Sequence, residues 1–389
     1  MLNYNFHEKI TLILSLLILN NYLFLSLSIP SALIKINFFL FLITVLTFYL
    51  KNIYENLYLK IFFLIIFLIA LGTPAFEWDP RSIWLFHAKR IFYDGSIFSV
   101  ADNYASFSNN AYPNLVPAFA SSLALLLGNW NEVFPKLSFL FMFLPPLILT
   151  YTFLKDTRYL IFLSIIFFTI GKYLFNGWAD GLIAVYFGLC VLLIYLLIIE
   201  ANNYYKDKPL FYFIAFCFFI TLTLIKDEGS ALLFIIFASA FLFKMFKGET
   251  IKVAPKLIFL FLTFAPIILW KIFCYSKGIA NNHINVDTSF NLLSRLYDIE
   301  NYKLISYFIF LNEKFLICLT FFLLSFWLNW NKELFSFVSI VMLMYIFILF
   351  FVFLSTSYDF YFQLNSTAAR VVKALSFSFA FFGLYNLSE

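Results

Sequence analysis

The chain alternates long apolar runs with short polar breaks from one end to the other. Runs of about 16–22 residues, rich in Phe, Leu and Ile, fall at 10–29, 34–50, 57–74, 133–154, 159–176, 181–199, 210–225, 230–246, 253–273, 314–330, 334–355 and 371–386. A helix needs roughly 20 apolar residues to cross a bilayer, so the pattern predicts an all-α, polytopic transmembrane helical bundle. Barrel strands would need alternating polar residues, which these runs lack. A further run, Pro113 to Gly128, is short for a crossing and predicts a re-entrant or tilted segment; with it the expected spans number about 12–13.

Basic residues decide how that short run is counted, because cytoplasmic loops carry the excess of Lys and Arg. If it does not cross, Lys9, Lys51 to Lys60, Lys155 to Arg158, Lys206/Lys208, Lys244/Lys247/Lys252 and Lys332 all fall inside. Segments 75–112, 176–180, 226–229, 274–313 and 356–370 then share the outer face. The unusual polar residues lie in those segments, as an active site facing the periplasm or cell exterior requires.

Composition agrees with the pattern. The 389 residues are 63% hydrophobic and 12% charged, against roughly 25% charge in soluble domains. No gap between spans reaches a usual domain length of roughly 100 residues, so a single integral-membrane domain over 1–389 is expected. Its two largest outer loops are 75–112, with an interfacial helix, and 274–313. The net charge of +5 reports topology and gives no support for nucleic-acid binding. Cys190, Cys217, Cys274 and Cys318 are widely spaced, and His7, His87 and His283 are also far apart, so neither a zinc site nor a disulfide framework is predicted. The first run lacks a small-residue cleavage site and reads as an uncleaved span. The excess of Phe, Ile, Leu, Asn, Lys and Tyr fits an AT-rich bacterial genome.

Charge beside a bilayer is costly and tends to mark function. In Glu77-Trp78-Asp79-Pro80-Arg81, Asp before Pro is a helix start, and Gly95 is a stop. On a helix over 80–93, Ile83, Trp84, His87, Ala88 and Ile91 share one face, with Ser82, Lys89, Arg90 and Tyr93 toward another; such a helix lies in the membrane interface. Asp79 either caps that helix or, with its neighbour Glu77, serves as a general base beside a lipid phosphate; both roles are compatible. Asp180, between two glycines at a span end, reads as a polar turn or a second acid. Lys226-Asp227-Glu228-Gly229 joins two apolar runs without a loop, and charges so placed need partners. Arg370, after Gln363 to Ala369, stands at the outer interface, where it either snorkels or grips phosphate. Tyr112-Pro113 opens the short run, and Asn281, Asn282, His283 and Asp287 are weak candidates for acceptor recognition.

The order of these elements resembles the GT-C superfamily of integral-membrane glycosyltransferases, which take sugars from polyprenyl-phosphate carriers. The likeness rests on the acidic loop at Asp79, the Tyr112-Pro113-Asn114-Leu115 entrance, the outward Asp180, the Lys226-Asp227-Glu228-Gly229 turn and Thr367-Ala368-Ala369-Arg370, over residues 57 to 386. Three spans precede the first large loop where the family usually has one. The resemblance implies a bacterial inner-membrane enzyme with a periplasmic site, transferring sugar from a polyprenyl-phosphate donor to a glycan, lipid or protein acceptor. Asp79, Glu77 and Asp180 would be its acids and bases. Arg81, His87, Lys89, Tyr112, Lys226, Glu228 and Arg370 would bind substrate. Side chains alone neutralise a monophosphate leaving group, so no metal is required, although Asp180 and Glu228 leave room for a divalent ion. Rival readings are a lipid or glycan transporter (flippase), which predicts polar residues at mid-span, a surface-polysaccharide polymerase or ligase, which predicts larger arginine-rich outer loops, and a scaffold without chemistry.

Overall fold

A computed structural model of the chain describes residues 5–51, 57–199, 208–248, 253–279 and 286–388. Among them all regular structure is helical. α1 (Phe6–Ser26) packs on α2 (Ser31–Leu50), and α3 (Leu57–Gly72) follows. A π-helical turn, Pro80–Trp84, runs into α4 (Leu85–Asp94), which stops at Gly95 in the left-handed conformation (φ 72°). Next come α5 (Leu115–Leu127) and α6 (Phe134–Met142), the latter forming one span with α7 (Leu144–Phe153). α8 (Asp156–Thr169) leads to α9 (Asp180–Ile194), α10 (Pro209–Ile225), α11 (Asp227–Phe246) and α12 (Val253–Ser276). α13 (Val286–Leu296) and α14 (Ile299–Phe310) occupy much of the expected second outer loop. α14 turns by 72° into α15 (Glu313–Leu328), and α16 (Lys332–Ser355) and α17 (Phe360–Asn386) complete the bundle.

The protein therefore has a multi-pass helical membrane architecture, with its helices where the apolar runs predict them. The span count needs correction. Among the described residues seven helical stretches are long and apolar enough to cross a membrane, or eight if α14 and α15 form one bent span. Four further apolar helices, α3, α5, α8 and α10, have at most 17 residues. At about 1.5 Å per residue these fall short of a hydrocarbon core of about 30 Å, whereas α12 has 24 residues. α8 illustrates the cause: its apolar run breaks at Gly171 (φ 55°) into a 3-10 turn, Gly171–Leu174, instead of continuing as a regular helix.

The short run forms α5, which lies alongside the 80–94 helical stretch: before it, Tyr112 stacks on Trp84 (centroids 5.9 Å apart); after it, Trp130 lies against Phe92 of α4 (6.0 Å).

α9 is the axis of the bundle, buried along its whole length and packed against α10, α11 and α17. The α9–α17 contact is close because Gly188 has no side chain: a Cβ there would stand 2.8 Å from the ring of Phe377. Charged groups sort to the two ends. At one end Glu8 pairs with Lys208 (3.3 Å), Lys247 with Glu333, and Arg158 donates to the carbonyl of Ser388 (2.7 Å). These are the basic clusters expected to share a side; Lys206 and Lys252 lie outside the described residues. The acidic candidates gather at the other end.

Candidate functional site

Four distant stretches of chain meet at that second end. Trp78 and Asp79 already belong to a helical turn, and Asp79 has helical backbone angles (φ −59°, ψ −47°) with no capping bond from its side chain. The capping role is therefore corrected: a residue inside the turn points its carboxylate outward from the helix axis, here to the guanidinium of Arg370. Arg370 also donates from Nε (3.3 Å) and Nη2 (3.0 Å) to Oδ2 of Asp180. The other Asp180 oxygen accepts from Lys226 (3.3 Å), and Lys226 reaches Glu228 as well (3.0 Å). Asp79, Arg370, Asp180, Lys226 and Glu228 form one continuous chain of charge, with three carboxylates against two cations.

Local structure puts each group there. Asp180 is the first residue of α9 and Glu228 lies in the first turn of α11, where the helix dipole favours negative charge. Lys226 is the one extended residue (φ −162°, ψ 157°) between α10 and α11. Its ammonium is turned inward, with the side chain 6% exposed. The turn is so tight that a Cβ on Gly229 would stand 1.9 Å from the carbonyl oxygen of Leu222. Arg370 sits inside α17, which begins at Phe360, not after Arg370; Asp359 caps it, accepting from the amide of Phe362 (2.8 Å). The expected polar segment 356–370 is thus mostly helix. Trp178 forms the floor beneath Arg370, whose guanidinium carbon lies 4.0 Å from the ring centroid.

Burial pushes the Asp79 carboxyl above its usual range; the neighbouring Asp180 adds to this, and Arg370 opposes it. For Lys226, burial works against the charge, but Asp180 and Glu228 outweigh it and hold the ammonium above the usual lysine range. The result is a fixed positive charge beside a carboxylate poised as a stronger base than free aspartate.

Other predicted residues stand around this network. Glu77 pairs with Lys172 (2.6 Å). Tyr112 is buried on Trp84 and feels the charge of Lys226. Arg81 and Lys89 are exposed and belong to no ion pair among the described residues. His87 lies away from the network, fully buried, with Nε2 3.1 Å from Oδ1 of Asn110. Burial pushes its pKa down to about 4, so it is neutral at physiological pH. Asn281, Asn282 and His283 lie outside the described residues, as does the side chain of Asp287. Among the described residues no group of three or more His, Cys, Asp or Glu side chains could hold a metal ion. Asp180 and Glu228, the pair with room for one, both turn to Lys226.

The structure adds residues that sequence patterns did not single out. Lys271, inside an apolar run, pairs with Asp227 (2.6 Å) and donates to the carbonyl of Ala111 (2.8 Å), tying α12 to the turn and to the loop before α5. Lys136 of α6 runs beside Pro80 and Gly177: a Cβ on Gly177 would meet both at 3.3 Å. Nδ2 of Asn176 and Nε1 of Trp178 are buried donors without a partner, next to the network. A buried donor left unpaired costs about 1–3 kcal/mol, a cost a bound hydroxyl would remove. No protein-family model matches the chain, and no curated protein or solved structure matches it.

Proposed function

We propose that the protein is a membrane glycosyltransferase of GT-C type, moving a sugar from a polyprenyl-phosphate carrier to a glycan, lipid or protein acceptor at the periplasmic face of the inner membrane. The observation that carries this reading is the convergence of Asp79, Asp180, Lys226, Glu228 and Arg370 in one network at one end of the bundle. These are the residues on which the family resemblance rests, and they are separated by up to 291 positions in the chain.

Asp79 accepts the proton of the acceptor hydroxyl, whose oxygen attacks the anomeric carbon. The bond from that carbon to the phosphate oxygen breaks, the phosphate leaves with the electron pair, and the configuration inverts. Proton uptake by Asp79 removes one of the two carboxylates held by Arg370. The guanidinium is then freer to stabilise the charge developing on the departing phosphate, so proton transfer and leaving-group stabilisation are coupled. Lys226 keeps Asp180 ionised, and Asp180 keeps Arg370 in place. Trp178 and Asn176 offer their unpaired donors to sugar hydroxyls. Confinement of the charges to the two ends, with apolar helices between, favours this reading over a transporter, whose polar groups belong at mid-span.

The test is mass spectrometry of surface glycans from cells carrying the wild type, Asp79→Asn or a deletion, with expression verified. Loss of one sugar-sized mass in both the deletion and Asp79→Asn is expected. A deletion that leaves every glycan unchanged while the wild-type protein is produced overturns the proposal.

A further inference from the structure

We infer that the cavity between α8, the α14–α15 bend and α17 is a separate binding site for a lipid phosphate headgroup, held by Lys373 and Lys314. The inference deepens the transferase reading and rests on it for the identity of the headgroup, not for the site. The cavity measures about 410 Å³, within the roughly 300–1,000 Å³ usual for small-ligand sites and larger than a bare phosphate needs.

The first argument is charge. Arg370 and Lys226, the cations of the acidic network, are engaged by carboxylates, and that network carries one more negative charge than positive. It repels a phosphate until a proton arrives. Lys373 differs: it lines the cavity, its ammonium lies 4.4 Å from the centroid of the Tyr173 ring, and it pairs with no carboxylate among the described residues. Lys314 lines the same space and spends one donor on the carbonyl of Phe168 (2.7 Å), leaving two of its three. Glu313 is the single acidic residue on the wall.

The second argument is backbone. The 72° bend ends α14 and starts α15 at the cavity wall, where Asn312, Glu313 and Lys314 form the helix start. The Asn312 side chain satisfies only the amide of Phe315 (3.2 Å). The positive end of a 16-residue helix therefore adds to the two ammonium groups.

The third argument is position. Lys373 lies three residues after Arg370 on α17, so the two occupy adjacent rows of one helix. The aromatic pair Tyr173 and Trp178 (centroids 5.4 Å apart) links them, Trp178 under Arg370 and Tyr173 under Lys373. A phosphate held by Lys373 and Lys314 would present its sugar across this aromatic step toward Asp79.

The test uses the purified full chain in detergent, with farnesyl phosphate as the probe and farnesol as the control for tail binding alone. Binding of the phosphate, beyond that of the alcohol, is expected to weaken about ten-fold or more in Lys373→Gln and in Lys314→Gln. It should be unchanged in Lys332→Gln, at the far end, and retained in Asp79→Asn. Monodisperse gel filtration of each variant checks folding. Phosphatidylglycerol as competitor assigns the source: displacement at equal concentration identifies a bilayer headgroup, and displacement only at large excess identifies the isoprenyl carrier; both uphold the site. Probe binding unchanged in both lysine variants overturns it, even if Asp79→Asn abolishes transfer. Lysine-dependent binding with no glycan change in the deletion overturns only the transferase reading.

Discussion

At the scale of single residues, the network rests on one guanidinium between two carboxylates. Arg370 side-chain exposure is 16%, and those of Asp79 and Asp180 are 14% and 5%. Removing Arg370 leaves both acids buried without their shared partner. Arg370→Ala is expected to cost about 3–5 kcal/mol, read as a lowered thermal midpoint in detergent. Adding Asp79→Asn to that variant should return part of the loss, because Asp79 has no ion pair but Arg370 among the described residues, whereas Asp180 keeps Lys226; a double variant less stable than the single one would contradict the pairing. As the proposed base, Asp79 would carry the pH dependence of transfer. Its carboxyl is held above the usual range, and only the ionised form can take a proton, so transfer should fall as pH drops through that raised value. A rate measured in membranes that stays flat down to the ordinary carboxylate range would remove Asp79 as the base. Asp79→Glu should keep the pH profile at a reduced rate, whereas Asp79→Asn should lose at least about 100-fold.

Among the elements, the α10–α11 turn is the least tolerant. Gly229→Ala forces a methyl group to within 1.9 Å of a backbone oxygen, so the helices must separate. A loss of about 1–3 kcal/mol is expected, together with loss of transfer, because the same turn aims Lys226 and Glu228. Gly72→Ala, with nothing within 4 Å, is the neutral control. This turn was legible beforehand: three charges between two apolar runs leave nowhere to put them except against partners. Helix positions were legible too, since periodicity is irrelevant when a run is apolar on every side and length alone predicts a span. Helix ends were less so. α17 starts at Phe360 because Asp359 caps it, yet Asn365, Ser366 and Thr367 on its early turns read as a polar loop. The lysines around the site were hidden for another reason. Lys136, Lys271 and Lys373 each sit singly near the edge of an apolar run, where a snorkelling lysine gives the same pattern. Only the folded bundle shows that Lys271 meets Asp227 and that Lys373 opens on a cavity.

For the whole molecule, the remaining question is which end faces outward. The positive-inside rule predicts that the end with Glu8, Lys208, Lys247 and Arg158 faces the cytoplasm, with Asp79 and its partners on the opposite side. The native thiols provide a direct way to check this, because Cys190, Cys217, Cys274 and Cys318 are all buried and contribute little background to surface labelling. Lys89 and Lys332 are exposed at opposite ends of the bundle. In intact cells with an opened outer layer, a membrane-impermeant maleimide should label Lys89→Cys and leave Lys332→Cys untouched until the inner membrane is permeabilised. The reverse pattern would place the acidic network in the cytoplasm. A donor there would be a soluble nucleotide sugar as readily as a lipid-linked one, and the argument from an outward-facing site to a polyprenyl-phosphate carrier would no longer hold, even with every distance in the network unchanged.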